Sequence, residues 1–206
     1  MINETMMNDV PPALRMGDTA PNFEARTTMG PVRLSDYRGR WLLFFSHPAD
    51  FTPVCTSEFV ALARAADEFA QRDCALLGLS VDSLWSHLAW TKAIDDLFDV
   101  KIPFPVIEDP SMNVAKAYGM IAPDARDSAA VRATYIIDPA GVIQAILQYP
   151  MAVGRSVDEL LRTLSALQAA ASGEFYTPAN WQIGDPLLLP PSDDISADDW
   201  FCRTAS

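Results

Sequence analysis

The chain predicts an α/β fold built on a central mixed sheet flanked by helices, with an arm at the C-terminus. Three observations carry this reading. Two continuous apolar runs, residues 41–45 (WLLFF) and 74–81 (CALLGLSV), have the length and evenness of strands buried on both faces. Each run is followed by a helix start signal, Thr52-Pro53 after the first and Asp82-Ser83 after the second. Strand-like and helix-like segments then keep alternating to about residue 172, the pattern of a partly parallel sheet.

Taken in order, residues 1–16 read as a loose leader, polar and without the apolar stretch of a signal peptide. Residues 23–27 and 32–34 flank the turn Thr28-Met29-Gly30-Pro31 and predict a hairpin. A short turn over 35–39 leads into the strand at 41–46. The helix opened by Thr52 carries Phe59, Leu62, Ala66 and Phe69 at helical spacing and is expected to end near Arg72. After the strand at 74–81, a helix is predicted over 84–98 and a short strand over 104–107. Asp109-Pro110-Ser111 opens another helix, ended by Gly119. Strands follow at 131–137 and 142–147 around the turn Asp138-Pro139-Ala140-Gly141. Ser156-Val157-Asp158-Glu159 is a capping box for a last helix, with Leu160, Leu161, Leu164 and Leu167 on one face and Gly173 as its stop.

Composition narrows the function. Half of the 206 residues are hydrophobic, enough for one domain, 17–172, with a full core. The remaining 173–206 are rich in Pro and Asp, end near Trp200-Phe201-Cys202, and form an extension that must lie along another surface. A net charge of −12 without a basic cluster argues against nucleic acid and anionic membranes as partners. No apolar run is long enough to span a bilayer. Three widely spaced cysteines are not a secreted disulfide framework, so a reducing cytoplasm is the expected compartment.

The chemistry gathers at Cys55. With Thr52 as N-cap and Pro53 at the first helical position, Cys55 is third in its helix. There the sulfur meets unpaired backbone N–H groups and the positive end of the helix dipole. Helix N-termini and nearby cations draw cysteine pKa values from about 8.5 to roughly 3.5–7.5. The plain alternative is a small buried hydrophobe. The chain has no Cys-x-x-Cys, which disfavours a dithiol exchanger, and no paired Cys/His spacing for zinc.

Pro48-x-x-x-Thr52-x-x-Cys55 resembles the active-site motif of the peroxiredoxins. The run Ser46-His47-Pro48-Ala49-Asp50-Phe51-Thr52-Pro53-Val54-Cys55-Thr56 is similar to their 1-Cys (type-six) subfamily, with likeness from about Gly17 into the tail. The resemblance implies a thioredoxin-like fold and a C-terminal arm used in dimerisation. It implies a thiol-dependent peroxidase acting on hydrogen peroxide and alkyl hydroperoxides through a sulfenic acid at Cys55. No metal or organic cofactor would be needed, because sulfur carries the electrons. An external thiol such as thioredoxin or glutathione would restore the enzyme, and a homodimer, or a decameric ring built from dimers, would be the assembly.

Site roles follow from the same resemblance. Thr52 would hydrogen-bond the peroxide and the sulfur, and Pro48 would shield the pocket. Arg132, a lone cation at the start of an apolar strand, matches the arginine that holds thiolate and peroxide. Arg155 matches a second arginine near the site, against a solvated residue before a helix cap. His47 matches a histidine beside the pocket, either bonding peroxide or oxidised sulfur or closing the strand end. Asp50 and Glu58 read as loop and helix-surface carboxylates outside the site, with an arginine as a candidate partner, and Cys74 as a core residue. Cys202, in a Trp-Phe-Cys context, has two readings: a thiol that resolves the sulfenic acid of another subunit, or a buried cysteine fixing the tail on the dimer. A Gly-x-Ser-x-Gly lipase motif found in some mammalian members has no counterpart over 36–41, so no phospholipase activity is carried over. Two other classes stay open at this stage: a disulfide reductase or isomerase, and a chaperone-like binding protein with an inert Cys55.

Overall fold

The computed structural model describes residues 13–121, 128–196 and 198–205, so most of the expected leader lies outside the described residues. The chain divides into two compact units, Met1–Arg155 and Ser156–Ser206.

The first unit is a mixed seven-stranded sheet with helices against it. Its strands are β1 (Glu24–Thr27), β2 (Gly30–Arg33), β3 (Trp41–Ser46), β4 (Cys74–Ser80), β5 (Val106–Glu108), β6 (Arg132–Ile137) and β7 (Ile143–Tyr149). They lie in the order β2-β1-β5-β4-β3-β6-β7. β3, β4 and β5 are parallel, and the outer pairs are antiparallel. The helices are α1 (Pro53–Arg64), α2 (Ala66–Gln71), α3 (Leu84–Phe98) and α4 (Asn113–Ala117). α2 packs on β4, and α3 packs on β5.

All six residues of β3 are buried, because it is a central strand covered on both faces. Leu42 and Phe44 join one core, where Phe44 meets Phe23 and Tyr118 at centroid distances of 5.4 and 4.8 Å. Phe45 points to the other face, 5.7 Å from Phe59 of α1 and 5.8 Å from Phe104. Each such ring removed from water contributes about 1.5–3 kcal/mol. α1 is thus seated through Phe59 on the back of the strand that precedes it.

Two expectations need correction. The helix expected to run from Thr52 to about Arg72 breaks at Ala65 into α1 and α2. The Ala65 N–H reaches both Ala61 O and Ala63 O, so the ladder tightens there without proline or glycine. The Thr52 hydroxyl makes no N-cap bond; it donates to Ala49 O at 2.9 Å. The α3 cap is as expected, with Ser83 Oγ accepting from Ser86 N at 3.3 Å. The β6–β7 turn closes on Gly141, whose φ of +78° is a conformation that side-chain-bearing residues rarely adopt.

The second unit holds α5 (Val157–Ala170) and the tail. Ser156 Oγ accepts from Glu159 N at 3.3 Å, one half of the capping box. The Glu159 carboxylate is held by Arg162 at 2.7 and 2.8 Å and by Thr163 at 3.0 Å. The tail is laced by isolated bridges, Tyr176 with Leu188 and Leu188 with Thr204.

Candidate active site

The sheet topology decides which ends meet. β3 runs antiparallel to β6, with Phe45 opposite Thr134, so the end of β3 lies beside the start of β6. Ser46 locks this corner: its hydroxyl donates to Val131 O and accepts from Ala133 N. Arg132, first in β6, therefore lies where the chain leaves β3 for the loop 47–52 and α1.

Cys55 is fully buried at the third position of α1. Burial alone would suit an inert thiol equally well, but the surroundings are cationic. Arg132 Nη1 donates to Cys55 Sγ at 3.4 Å and to Glu58 Oε2 at 2.8 Å, while its Nε holds Met151 O at 2.9 Å. Glu58 also takes Arg155, through Nε at 3.0 Å, Nη2 at 2.7 Å and the backbone N at 2.8 Å. Arg155 further donates to Ala133 O and Thr134 Oγ1, both at 3.2 Å, and stacks 5.0 Å over the Phe45 ring.

The charges count simply. Two buried guanidiniums face one buried carboxylate, leaving one positive charge without a partner. A thiolate at Cys55 supplies the missing negative charge, whereas a thiol leaves a buried cation uncompensated.

Glu58 and Asp50, expected outside the site, are both buried. Glu58 joins the two arginines. Asp50 joins His47 Nε2 at 2.8 Å to His87 Nδ1 at 2.8 Å, and His87 Nε2 meets Ile107 O at 3.1 Å. Burial raises the Asp50 carboxyl, but hydrogen bonds from the two histidines outweigh it and hold the group well below the usual carboxylate range. Burial lowers His47 below its ordinary value, with the Asp50 bond opposing. His47, Asp50 and His87 are the group among the described residues whose ligand atoms could hold a metal, lying within 4.8 Å of one another. Their 2.8 Å contacts are proton-sharing distances, shorter than the roughly 3.3 Å edge implied by zinc–nitrogen bonds of about 2.0–2.1 Å.

The loop between β3 and α1 is under strain. Phe51 takes a φ of +56°, a conformation that costs a bulky residue about 1–3 kcal/mol. It is held by the Thr52 bond to Ala49 and by Asp82 Oδ2, which accepts from Asp50 N at 3.0 Å. Pro48 is buried and Thr52 half-buried. Beside Thr52 opens an apolar groove of about 590 Å³, lined by Phe51, Pro53, Val60, Leu97 and Phe98.

The structure thus brings Cys55, Arg132 and Arg155 together through Glu58, and sets His47, Pro48 and Thr52 on the loop leading into the same helix. Cys202 lies in the second unit, where it is exposed and free in the single chain. Cys74 is a core residue, its thiol pushed up to about 12 by burial.

Residues 16–146 match the model of the AhpC/TSA family, and residues 166–197 match that of the C-terminal domain of 1-Cys peroxiredoxin. Peroxiredoxin 2 of Caldanaerobacter subterraneus subsp. tengcongensis is 49% identical over 177 residues, covering 86% of this chain and 80% of that protein.

The chain belongs to the peroxiredoxins.

A solved structure of yeast mitochondrial 1-Cys peroxiredoxin resembles it with a TM-score of 0.81 at 41% identity, over 86% of this chain and 87% of the other. A cysteine-to-serine mutant of the peroxiredoxin 6 of Arenicola marina also gives 0.81, at 34% identity over 91% and 87%. The fold is the thioredoxin-like one, and this peroxiredoxin is a thiol-dependent peroxidase, which disfavours the disulfide-exchange and chaperone-like alternatives. Among the described residues no helix is long and apolar enough to cross a membrane.

Proposed function

We propose that Cys55 is the peroxidatic cysteine and that Arg132, Arg155, Thr52, Pro48 and His47 form its pocket. The observation that carries this is the guanidinium of Arg132 at 3.4 Å from the sulfur, in a cluster one negative charge short. The thiolate sulfur bonds to the distal oxygen of a hydroperoxide. The O–O bond breaks, and the second oxygen leaves with its electron pair and takes a proton, giving water or an alcohol and Cys55 sulfenic acid. Arg132 holds the sulfur ionised and faces the charge that develops on the departing oxygen. Thr52 already gives its hydroxyl proton to Ala49 O, so its lone pairs are left to accept from the peroxide O–H. Pro48 keeps water out of a site whose electrostatics depend on dryness.

An external thiol then attacks the sulfenic sulfur and water leaves. A second thiol frees Cys55 as the mixed disulfide passes to a thiol–thiol disulfide. The yeast relative is described as resolved via glutathione/thioredoxin systems, and a reductant of that kind, in a reducing cytoplasm, is the reading for this chain. Exposure of Cys202 supports a second route, in which it resolves Cys55 of another subunit. Residues 17–172 are read as the peroxidase domain and 173–206 as a dimerisation arm, with a homodimer or a decameric ring built from dimers as the assembly. Exposed Phe51 and Leu97 beside Thr52 offer apolar surface for such assembly.

Single serine replacements test the assignment. Cys55→Ser abolishes peroxide consumption, while Cys74→Ser leaves the first turnover in place. Retained turnover in Cys55→Ser would overturn the assignment.

A further inference from the structure

The chain has two histidines, and both lie fully buried in one cluster. Their hydrogen bonds can be counted atom by atom. His87 Nε2 meets a carbonyl, Ile107 O at 3.1 Å, which can only accept. His87 Nδ1 meets the Asp50 carboxylate at 2.8 and 3.1 Å, which also only accepts when ionised. Both ring nitrogens of His87 are therefore donors. The remaining contact, His47 Nε2 to Asp50 Oδ1 at 2.8 Å, again needs a donor on the histidine. That places the His47 proton on Nε2. His47 Nδ1 is then a bare lone pair, and it is a buried polar atom with no hydrogen-bond partner among the described residues. A buried acceptor left unpaired costs about 1–3 kcal/mol, which points to a donor that arrives from outside.

We propose that His87, acting through Asp50, is a positioning residue that fixes His47 with its proton on Nε2, so that His47 serves the peroxide pocket through Nδ1 as a hydrogen-bond acceptor only. This rests on the peroxidase reading of the pocket. His47 immediately follows β3 and packs at 4.8 Å on Phe59, one helical turn after Cys55. Its other face lies 5.1 Å from Trp90, so the ring has little freedom to turn over. Of the groups entering a peroxidase pocket, hydrogen peroxide brings, beyond the O–H that Thr52 accepts, a second O–H to match a bare nitrogen. The acidic partner of His47 is three residues away, but the ring that orients that acid is 37 residues further on, in α3.

Nitrogen-15 NMR of the reduced full chain at pH 7 reads each ring nitrogen as protonated or bare. One ring, His87, should show two protonated nitrogens, and His47 should show Nε2 protonated and Nδ1 bare. Two neutral rings, or a His47 proton on Nδ1, would overturn the proposal. In His87→Leu the His47 ring should populate both tautomers, and the rate with hydrogen peroxide should fall about tenfold or more. His87→Asn, which restores a donor to Asp50, should recover most of it. An unchanged His47 tautomer in His87→Leu would assign the positioning to Asp50 alone and reject the role of His87. Should that variant not fold, the wild-type spectrum decides by itself. The spectrum does not depend on turnover, so failure here is distinct from failure of the peroxidase assignment.

Discussion

Arg132 lies 77 residues from Cys55 in the chain, yet its Nη1 donates to the cysteine sulfur at 3.4 Å inside a buried cluster. The same guanidinium is pinned by Glu58 and Met151, so it cannot swing away when the sulfur changes state. In the proposed pocket, charge and orientation are both set before a peroxide arrives, which is how preorganised electrostatics accelerate a reaction.

Removing that donor should be costly. Arg132→Ala is expected to slow the reaction with hydrogen peroxide by about 10²–10³-fold, the range for losing one preorganised donor. Arg132→Lys should recover only part, since one ammonium cannot reproduce the fork that reaches Met151, Glu58 and Cys55 together. Stopped-flow measurement of Cys55 oxidation checks this, and a wild-type rate in Arg132→Ala would remove Arg132 from the site.

Glu58 is predicted to matter first for stability. It is the shared carboxylate of two buried arginines. Glu58→Gln leaves two cations facing a neutral amide, and breaking a buried pair in this way costs about 3–5 kcal/mol. Urea unfolding of the reduced protein should show a markedly lower midpoint at unchanged slope. An unchanged midpoint would mean the cluster is hydrated enough to dispense with Glu58.

Thr52 tests the role of a hydroxyl. Thr52→Val keeps the shape and loses the hydrogen bond, and should cost a few-fold to about tenfold in peroxide reactivity, as for a hydrogen bond between neutral groups. Thr52→Ser should stay near wild type. Equal losses in both would point to the methyl group and loop packing instead.

Acid should weaken the fold in two stages. His47 has a folded pKa below its unfolded value of about 6.5, so below that pH the unfolded chain takes up a proton the folded one refuses. Stability is therefore lost as pH falls from about 6.5. Asp50 has a depressed folded pKa, so its contribution is full above about 3.9 and is lost as pH falls further. Urea midpoints at pH 7.0, 5.5 and 4.5 should decline in that order; a midpoint that rises toward pH 5.5 would contradict the buried neutral His47.

Much of the frame was legible in the sequence for local reasons. The apolar run at 41–45 became β3 because a strand covered on both faces has no polar positions to keep. The Ser83 cap marked α3 from its first residue. The break at Ala65 carried no signal, since neither proline nor glycine marks it. Of the proposed site, Pro48, Thr52 and Cys55 were legible as one local motif, and Arg132 and Arg155 through the family resemblance. Glu58 was missed because a helical glutamate usually faces water. Its register was the available clue: Cys55, Glu58, Phe59 and Leu62 fall at helical spacing on one buried stripe. His87 shares such a stripe with Trp90 and Ile94, but nothing in the chain between Asp50 and His87 announces that the two meet.

The most direct test of the central claim is the intact mass of the reduced protein after one equivalent of hydrogen peroxide, under non-reducing conditions with the modified residue mapped. The account predicts rapid change at Cys55: one added oxygen on a monomer for recycling by an external thiol, or a dimer linked through Cys55 and Cys202 if the tail cysteine resolves it. No rapid change at Cys55 would contradict the account.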